Sequence, residues 1–356
     1  FNASHREGMH MSAKRIAFVT VLVTISCLAG GVSAQSVESV YKGKNVDLLI
    51  GFGPGGGNDT WARTVAAHIG RFLPGKPSVI PRNMDGAGGL QVANYLYNAA
   101  PKNGRVFGLI NRGIPLEPLL GGSGTNFDAR KFAYIGSPDR DTTVCGAMKG
   151  AAAQSMQDLF SKELVVGGTG SGADTVIYPE FLNAVLGMKF KVIKGYKGSS
   201  AVALAMARGE VQGACLAYDS FTRTAVHREG KTNILFQAAL KPDPKIKGVP
   251  SVLDQAKSTA DRQALELFFA RVELGRPFVA PPGLAPELVK TLRTAFAATL
   301  ADKTFIADAR KRKLRPAPVS GENLQELVEN IYKTPREIVM RVSVALGRDK
   351  KKKGKK

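Results

Sequence analysis

The stretch that most constrains the fold is "DLLIGFGPGGGNDTWAR", residues 47–63. An apolar run of strand length ends in a glycine-rich turn, and a helix pattern follows at once. Glycines at the end of a strand let backbone N–H groups approach a ligand closely, and the N-terminus of the next helix adds partial positive charge. The stretch therefore predicts an α/β unit whose loop holds an anion.

The same letters also fit a dinucleotide fingerprint, because Gly51 to Gly56 satisfy G-x-G-x-x-G. A dinucleotide fold prefers an acidic residue at the end of the second strand, about 20 positions further on. Here that strand ends in "PRN", residues 81–83, and Pro54 stiffens the turn. An NAD(P)-dependent oxidoreductase that uses the loop from Gly51 to Gly56 is therefore kept as the alternative, while the main interpretation needs no cofactor.

The N-terminus predicts export. From Met11 the chain has a basic start, an apolar run over residues 16–28 and a small-residue site that ends at Ala34, the order of a Sec-type signal peptide. The apolar run is shorter than the roughly 20 residues that a bilayer-spanning helix requires. Cys27 leaves a lipoprotein signal as an alternative. We expect residues 1–34 to be an upstream extension and signal peptide, with cleavage after Ala34 and a periplasmic mature protein.

Charge and composition limit the classes of function. The 356 residues carry 50 Lys and Arg against 29 Asp and Glu, and their length suits about two domains. Part of the excess lies in residues 347–356, which predict a basic, solvated, disordered tail. The remaining basic residues lack the interleaved aromatic residues of a base-stacking surface, so no nucleic-acid partner is expected. After residue 34 the only histidines are His68 and His227, far apart, so no metal site is expected.

Two cysteines remain after the predicted cleavage site, Cys145 and Cys215. Both lie in apolar, strand-like runs, and an oxidising compartment permits a disulfide between them. They can form a disulfide or remain two small buried hydrophobic residues.

The order of elements predicts two lobes. Strand and helix patterns alternate from residue 45 to about 110, as in a parallel sheet covered by helices, and the alternation resumes after a break near residue 140. The loop "GGGNDT" at 55–60 has an echo in "GSGADT" at 170–175. In each lobe a glycine loop would present a helix N-terminus at the carboxyl ends of the strands, so the two loops would face one another across a crevice.

No catalytic constellation accompanies these loops. The sequence has no G-x-S-x-G elbow, and Asp139 and Asp141 are interpreted as solvated turn residues rather than a catalytic dyad. We expect a binding protein without turnover.

The ordered motifs resemble a known family. The stretch "LLIGFGPGGGNDTWARTVAAHIGRFLPGKPSVIPRNMDGAGGLQVANYLYNAAPKNGRVFG" and the later stretch "GGTGSGADTVIYPEFLNAVLGMKFKVIKGYKGSSAVALAMARGEVQGACLAY" resemble the substrate-binding proteins of tripartite tricarboxylate transporters, the TctC or Bug family. The resemblance covers about residues 41–340. It implies a type II periplasmic-binding-protein fold, an α/β clamshell that closes on a small ligand, often a carboxylate, and delivers it to a membrane permease with a large and a small subunit. It also implies a monomer that is not an enzyme.

The resemblance assigns ligand contacts to both lobes. Asp85 departs from the family pattern, which often has Pro there. Its carboxylate could admit a cationic group on the ligand or cap the following helix, and we interpret it as the cap. The expected contacts in the first lobe are Pro54, Gly55, Gly56, Gly57, Asp59, Gly86, Ala87, Gly88 and Gly89. Those in the second lobe are Thr169, Gly170, Ser171, Gly172, Asp174, Tyr196, Lys197 and Gly198.

The resemblance also sets the expected boundaries. The first lobe would comprise residues 35–140 and, after a return, 240–346, while the second lobe would comprise residues 141–239. The lobes would move about crossings near 138–145 and 236–245. The identity of the ligand does not follow from the sequence.

Overall fold

The structure is a computed structural model, and it describes residue 1 and residues 37–348. The predicted signal peptide, with cleavage after Ala34, and the basic residues after Arg348 lie outside these residues. The described part of the chain forms eleven strands: β1 Asn45–Ile50, β2 Ser78–Asn83, β3 Val106–Leu109, β4 Ala133–Ser137, β5 Thr143–Met148, β6 Leu164–Gly167, β7 Phe190–Ile193, β8 Gly213–Ala217, β9 Thr232–Ala238, β10 Phe278–Ala280 and β11 Val319–Ser320.

The same residues form twelve α-helices and several short 3₁₀ turns. The helices are α1 Val37–Tyr41, α2 Gly57–Ile69, α3 Leu90–Asn98, α4 Asp174–Leu186, α5 Ser199–Ala207, α6 Tyr218–Thr222, α7 Ala225–Arg228, α8 Thr259–Phe269, α9 Pro286–Ala301, α10 Lys303–Lys311, α11 Gly321–Ile331 and α12 Arg336–Ala345. Among them no helix is long and apolar enough to cross a bilayer. The 3₁₀ turns are Gly70–Phe72, Ala87–Gly89, Ile114–Leu116, Ala129–Lys131, Gln157–Phe160, Val252–Gln255 and Ala270–Leu274.

The strands form two separate sheets, one in each lobe. The first has the order β11-β4-β10-β3-β1-β2, and the second has the order β7-β6-β8-β5-β9. The chain therefore crosses to the second lobe after β4 and returns between β9 and β10. This is the two-lobed α/β class that the sequence predicted.

Each sheet is parallel where the sequence alternates and antiparallel where the chain returns. In the first sheet β1 pairs in parallel with β2 and β3, while β10 and β11 run antiparallel to their neighbours. In the second sheet β6 pairs in parallel with β7 and β8, while β5 runs antiparallel to β8 and β9. The prediction of a parallel sheet thus holds for the alternating segments only, because local periodicity does not encode the direction of a returning strand.

Apolar packing joins the two lobes. One cluster of buried residues extends from α3 of the first lobe to β6 and α4 of the second. Helix α8 takes part in it, because Phe268 stacks on Phe181 of α4 with ring centroids 4.0 Å apart. A second cluster around Trp61 fills the first lobe between its sheet, α2 and α9.

Helix α2 begins at Gly57, with Gly56 as its cap. One expectation for the end of the chain was wrong. Arg348, which was assigned to the solvated tail, packs against the first lobe because Nη2 donates to Glu117 at 3.0 Å.

Candidate functional site

The loop between β1 and α2 is held by its own lobe. Gly55 has a left-handed φ of +81°, and its N–H donates to Asp59 Oδ2 at 2.8 Å. Asn83, at the end of β2, donates to the carbonyl of Phe52 at 2.7 Å and to Asp59 Oδ1 at 2.8 Å. The buried Asp59 carboxylate therefore fixes the loop in one shape.

The corresponding loop of the second lobe connects β6 to α4. The N–H of Thr169 donates to Oγ1 of Thr175 at 2.9 Å, and Ala173 N–H donates to the carbonyl of Gly170 at 2.8 Å. Ala173 precedes the helix in an extended conformation, and Asp174 is the first helical residue. Both lobes thus present the N-terminus of a 13-residue helix, and such a terminus attracts negative charge.

The two lobes are closed on one another. The N–H of Gly53 donates to the carbonyl of Lys197 at 3.1 Å, and Oγ of Ser200 donates to the carbonyl of Pro54 at 3.1 Å. Each bond joins the first lobe to the second. The β1–α2 loop therefore forms part of the seam between the lobes.

Glycines permit this close approach. A Cβ on Gly88 would lie 2.5 Å from the backbone nitrogen of Ala173, and a Cβ on Gly170 would lie 2.1 Å from the backbone nitrogen of Gly88. Neither position has space for a methyl group in the closed state. The second glycine loop of the first lobe thus packs directly on the glycine loop of the second.

A small, partly open cavity remains between the lobes. Its volume is about 70 Å³, space for a few water molecules or a short ligand. The start of α2 and the start of α4 both line it, together with two arginines and two serines: Gly56, Gly57, Asn58, Arg112, Thr169, Asp174, Thr175, Ser199, Ser220 and Arg276.

Arg112 connects three parts of the molecule at this cavity. Its Nε donates to Asp174 Oδ2 at 2.6 Å, and its two terminal nitrogens donate to the carbonyl of Asp141 and to Oγ1 of Thr143. Burial lowers the pKa of Arg112, but the charge of Asp174, its hydrogen bond and the charges of Tyr178 and Asp141 together outweigh that effect, so the pKa lies above its ordinary value. Arg112 is therefore a fixed cation that orients the Asp174 carboxylate.

Arg276 is the second cation of the cavity. It forms ion pairs with Asp139 and, through Nη2 at 3.6 Å, with Asp141. Burial and then the charges of Arg112 and Arg315 lower the pKa of Arg276 to about 9, so the side chain still carries its charge at neutral pH. A Cβ on Gly57 would lie 3.2 Å from Nη2, which sets this cation beside the start of α2.

A buried ionic network lies behind the cavity at the crossings between lobes. Arg315 of the first lobe pairs with Asp219 of the second lobe, with Asp141 at 3.0 Å and with Asp243 at 3.6 Å. Burial and the charge of Asp219 raise the pKa of Asp141 to about 7. The interpretation of Asp139 and Asp141 as solvated turn residues was wrong, because both are buried.

Three carboxylates of this network are close enough to share a metal ion. Oxygens of Asp139, Asp141 and Asp219 lie within 4.8 Å of one another. Arg276 and Arg315 already supply positive charge to these oxygens. The geometry therefore describes an ion-pair network at the hinge.

Solved structures share the fold of this chain. No protein-family model matches the chain, and no curated protein matches it. The protein Rpa4515 of R. palustris, solved with adipate, is 22% identical, and the match covers 85% of this chain and 97% of that one with a TM-score of 0.66. MatC from Rhodopseudomonas palustris, solved with malate, is 20% identical over 83% of this chain and 98% of that one, with a TM-score of 0.67. The periplasmic binding protein BugD is 20% identical over 86% of this chain and 97% of that one, with a TM-score of 0.65.

The chain has the fold of the two-lobed periplasmic binding proteins. A TctC solute-binding protein from Polaromonas, 17% identical, matches 84% of this chain and 99% of that one with a TM-score of 0.56. The fold class and the resemblance to TctC and Bug proteins that the sequence predicted are confirmed.

The predicted contact residues lie in several different places. Four of them line the central cavity: Gly56, Gly57, Thr169 and Asp174. Asp59 instead accepts hydrogen bonds from Gly55 and Asn83 within the first lobe. A neighbouring cavity of about 210 Å³ along the seam is lined by Gly86, Ala87, Gly88, Gly170, Tyr196 and Lys197.

The remaining predicted residues lie along the seam or beyond it. Ser171 and Gly172 line a wide groove of about 940 Å³, and Gly55 lines another surface depression. Pro54 joins the seam through its carbonyl, a Cβ on Gly89 would approach Asn111, and a Cβ on Gly198 would approach Gly53.

Asp85 does not act as the predicted helix cap. It is exposed and lines the neighbouring cavity. The caps of the 3₁₀ turn and of α3 are Gly86 and Gly89, without a side-chain bond. The backbone passes through left-handed glycines between Asp85 and α3, so the carboxylate does not reach the free N–H groups.

Sequence reasoning missed both arginines of the central cavity, Arg112 and Arg276. Arg112 follows β3, and the carboxyl end of a parallel strand is a place where ligands bind, so its position was a usable signal. Arg276 precedes the antiparallel strand β10, and no local pattern marks it. The sequence left the pairing of the two cysteines open, and the structure contains a disulfide between Cys145 and Cys215, which are directly opposite on β5 and β8.

Proposed function

We propose that this protein is an exported solute-binding protein that captures a small carboxylate-bearing ligand between its two lobes. It would deliver that ligand to the membrane permease of a tripartite tricarboxylate-type transporter. It would act as a monomer in the periplasm, without turnover and without a cofactor.

The observation that carries this proposal is the composition of the central cavity. Two helix N-termini, those of α2 and α4, line it from opposite lobes. The guanidinium of Arg276 stands beside the start of α2. Backbone N–H groups of a first helical turn and a desolvated guanidinium are donors that a carboxylate accepts from.

The solved neighbours support the carboxylate class. Rpa4515 was solved with adipate and MatC with malate, both dicarboxylates. Their likeness to this chain is one of fold, so the ligand must be chosen by side chains that are particular to this cavity. We infer that Gly56, Gly57, Thr169 and Asp174 contact the ligand and that the other predicted loop residues form the seam that closes over it.

The dinucleotide alternative gains no support. Gly53, in the middle of the Gly51–Gly56 fingerprint, donates its N–H to Lys197 across the seam. A cavity of about 70 Å³ is also far smaller than the roughly 300–1,000 Å³ of pockets that hold drug-sized ligands.

Native mass spectrometry of the protein purified from periplasm tests the proposal. Comparison with the denatured mass should reveal a released small anion, and N-terminal sequencing should begin at Gln35. Release of a dinucleotide would instead support the oxidoreductase. An empty protein that binds no member of a panel of short carboxylates in calorimetry would refute the proposal.

Removal of the cavity charge gives a matched pair of variants. Arg276→Gln keeps a planar amide beside Asp139 but removes the cation, so affinity for the ligand should fall by about 10- to 100-fold, the weight of a charged hydrogen bond. Arg262→Gln removes an exposed arginine of α8 and should leave affinity unchanged. Equal affinities of the two variants, with both folded by circular dichroism, would contradict the assigned role of Arg276.

A further inference from the structure

The carboxylate of Asp174 lines the central cavity at the first position of α4, and only 9% of the residue is exposed. Its two oxygens are in different situations. Oδ2 accepts from Arg112 at 2.6 Å, while Oδ1 is buried and no group of the described residues donates to it. A buried acceptor without a donor is unfavourable, so a donor is expected from whatever occupies the cavity.

The ion pair with Arg112 restrains the Asp174 carboxylate in this orientation. Arg112, which holds Oδ2, is itself anchored to the carbonyl of Asp141 and to Thr143. Asp174 and Arg112 come from different lobes, so the pair takes this geometry when the lobes close. Closure therefore assembles a fixed acceptor in the cavity wall.

The other wall of the cavity has the opposite character. Arg276 and the N-terminus of α2, at Gly57 and Asn58, present positive charge, and the N–H of Gly57 donates to Oγ of Ser199 at 3.3 Å. A ligand carboxylate fits that wall. The same carboxylate would be repelled by Asp174, so the part of the ligand that faces Asp174 must donate a hydrogen bond.

We propose that Asp174 is the specificity-determining residue of the cleft, with Oδ1 accepting a hydrogen bond from a hydroxyl or ammonium group that the carboxylate ligand carries. This inference rests on the proposed function, since it assumes a carboxylate in the cavity. It narrows the ligand class to short hydroxy acids and amino acids. The cavity volume of about 70 Å³ restricts the chain to a few carbons.

Two matched ligand series test the inference by calorimetry. The first is propionate, lactate and alanine, and the second is succinate, malate and aspartate; within each series only the substituent on one carbon changes, from hydrogen to hydroxyl to ammonium. At least one series should show binding, with a donor-bearing member about 10- to 100-fold tighter than the parent acid. A tighter hydroxy acid or a tighter amino acid identifies which donor the cleft takes.

For each variant the measured quantity is the ratio of the affinity for the donor-bearing acid to the affinity for its parent acid. A substitution that weakens binding of both acids equally leaves this ratio unchanged. In Asp174→Ala the preference for the donor should fall to within about threefold, because the acceptor is gone. Asp174→Asn keeps an oxygen acceptor without the charge, so preference for a hydroxyl should persist in part while preference for an ammonium should be lost. Asp254→Ala, at an exposed aspartate, should keep the parental ratio.

The outcomes separate this inference from the proposed function. Tight binding of succinate or propionate with no gain from a hydroxyl or ammonium would show that solvent satisfies Oδ1, and it would overturn the inference while leaving the solute-binding function intact. Failure of all six acids to bind would overturn the inference, and it would overturn the proposed function as well only if the periplasmic protein also releases no small anion and binds no other short carboxylate. An unchanged ratio in Asp174→Ala would assign the preference to another residue and refute the role of Asp174.

Discussion

Gly170→Ala tests whether the closed arrangement of the two lobes is the ligand-binding state. The three atoms nearest to a Cβ at this position are the backbone nitrogen of Gly88 at 2.1 Å and two backbone atoms of Ala87 at 2.7 and 3.0 Å. All three belong to the opposite lobe. Gly170 does not adopt a left-handed φ, so alanine fits the loop of its own lobe. The substitution therefore acts across the seam.

The magnitude follows from the contact. Ordinary contact begins at 3.4 Å, so a methyl group 2.1 Å from a rigid backbone nitrogen requires the seam to open. Overpacking of this kind costs typically about 1–3 kcal/mol. Because only the closed state has the clash, this free energy is added to the cost of closing the lobes. Ligand affinity should therefore drop by about 5- to 150-fold.

Calorimetry with the ligand identified from the purified protein measures the affinity, and small-angle scattering measures compaction on binding. Gly170→Ala should bind more weakly and compact less, while the thermal unfolding of the ligand-free protein changes little. Gly150→Ala is the control in the same lobe, since a Cβ there meets nothing within 4 Å. Parental affinity and full compaction in Gly170→Ala would refute the reasoning.

Two further perturbations concern the disulfide and the hinge. The disulfide between Cys145 and Cys215 joins residues 70 apart in sequence, so its reduction should lower the free energy of unfolding by about 2–5 kcal/mol in denaturant titrations, and identical midpoints with and without reductant would contradict this. Burial and the charge of Asp219 raise the pKa of Asp141 to about 7 in the folded protein. The resulting stabilisation is full below the unfolded pKa of 3.8 and is lost as pH rises through 7. Asp141→Asn should therefore flatten the decline of unfolding free energy between pH 4 and about 8, and an unchanged slope in urea melts would exclude this role.

The fold was predictable because short stretches of sequence indicate its strands, glycine loops and helices. The β1 strand, its glycine loop and α2 follow one another within residues 45–69, and the echo at 170–175 marks the same unit in the second lobe. Glycine positions carried most of this information, since Gly170 has no space for a side chain in the closed state. Local patterns could therefore assign the lobes and the two helix N-termini.

The charged part of the site could not be predicted because its partners are distant in sequence. Arg315 and Asp141 are 174 residues apart, and Arg112 and Asp174 are 62 apart. Viewed alone, Asp141 resembles a turn residue in a polar segment. Only the folded chain supplies the arginines that allow it to be buried.

The same separation explains the smaller errors. Arg348 looked like the start of a solvated tail, but Glu117 on the first lobe accepts from it. Asp85 was interpreted as a helix cap, yet the left-handed glycines after it redirect the chain. In each case one tertiary contact or one backbone turn overrides a sound local expectation.

The hinge network is better explained by motion than by stability. Burial raises the pKa of Asp141 and lowers the pKa of Arg276, so each charge is unfavourable where it lies. Buried ion pairs are often no more stable than well-packed apolar residues. Arg315 binds Asp219 through both its backbone N–H and its side chain, and it also reaches Asp243 in the second crossing. We expect a cluster that contacts both crossings to keep its ion pairs while the lobes rotate about it. The contacts between the glycine loops lie away from the crossings, so they would separate. We therefore expect opening to break the seam first and to leave the ion pairs of Arg315 in place.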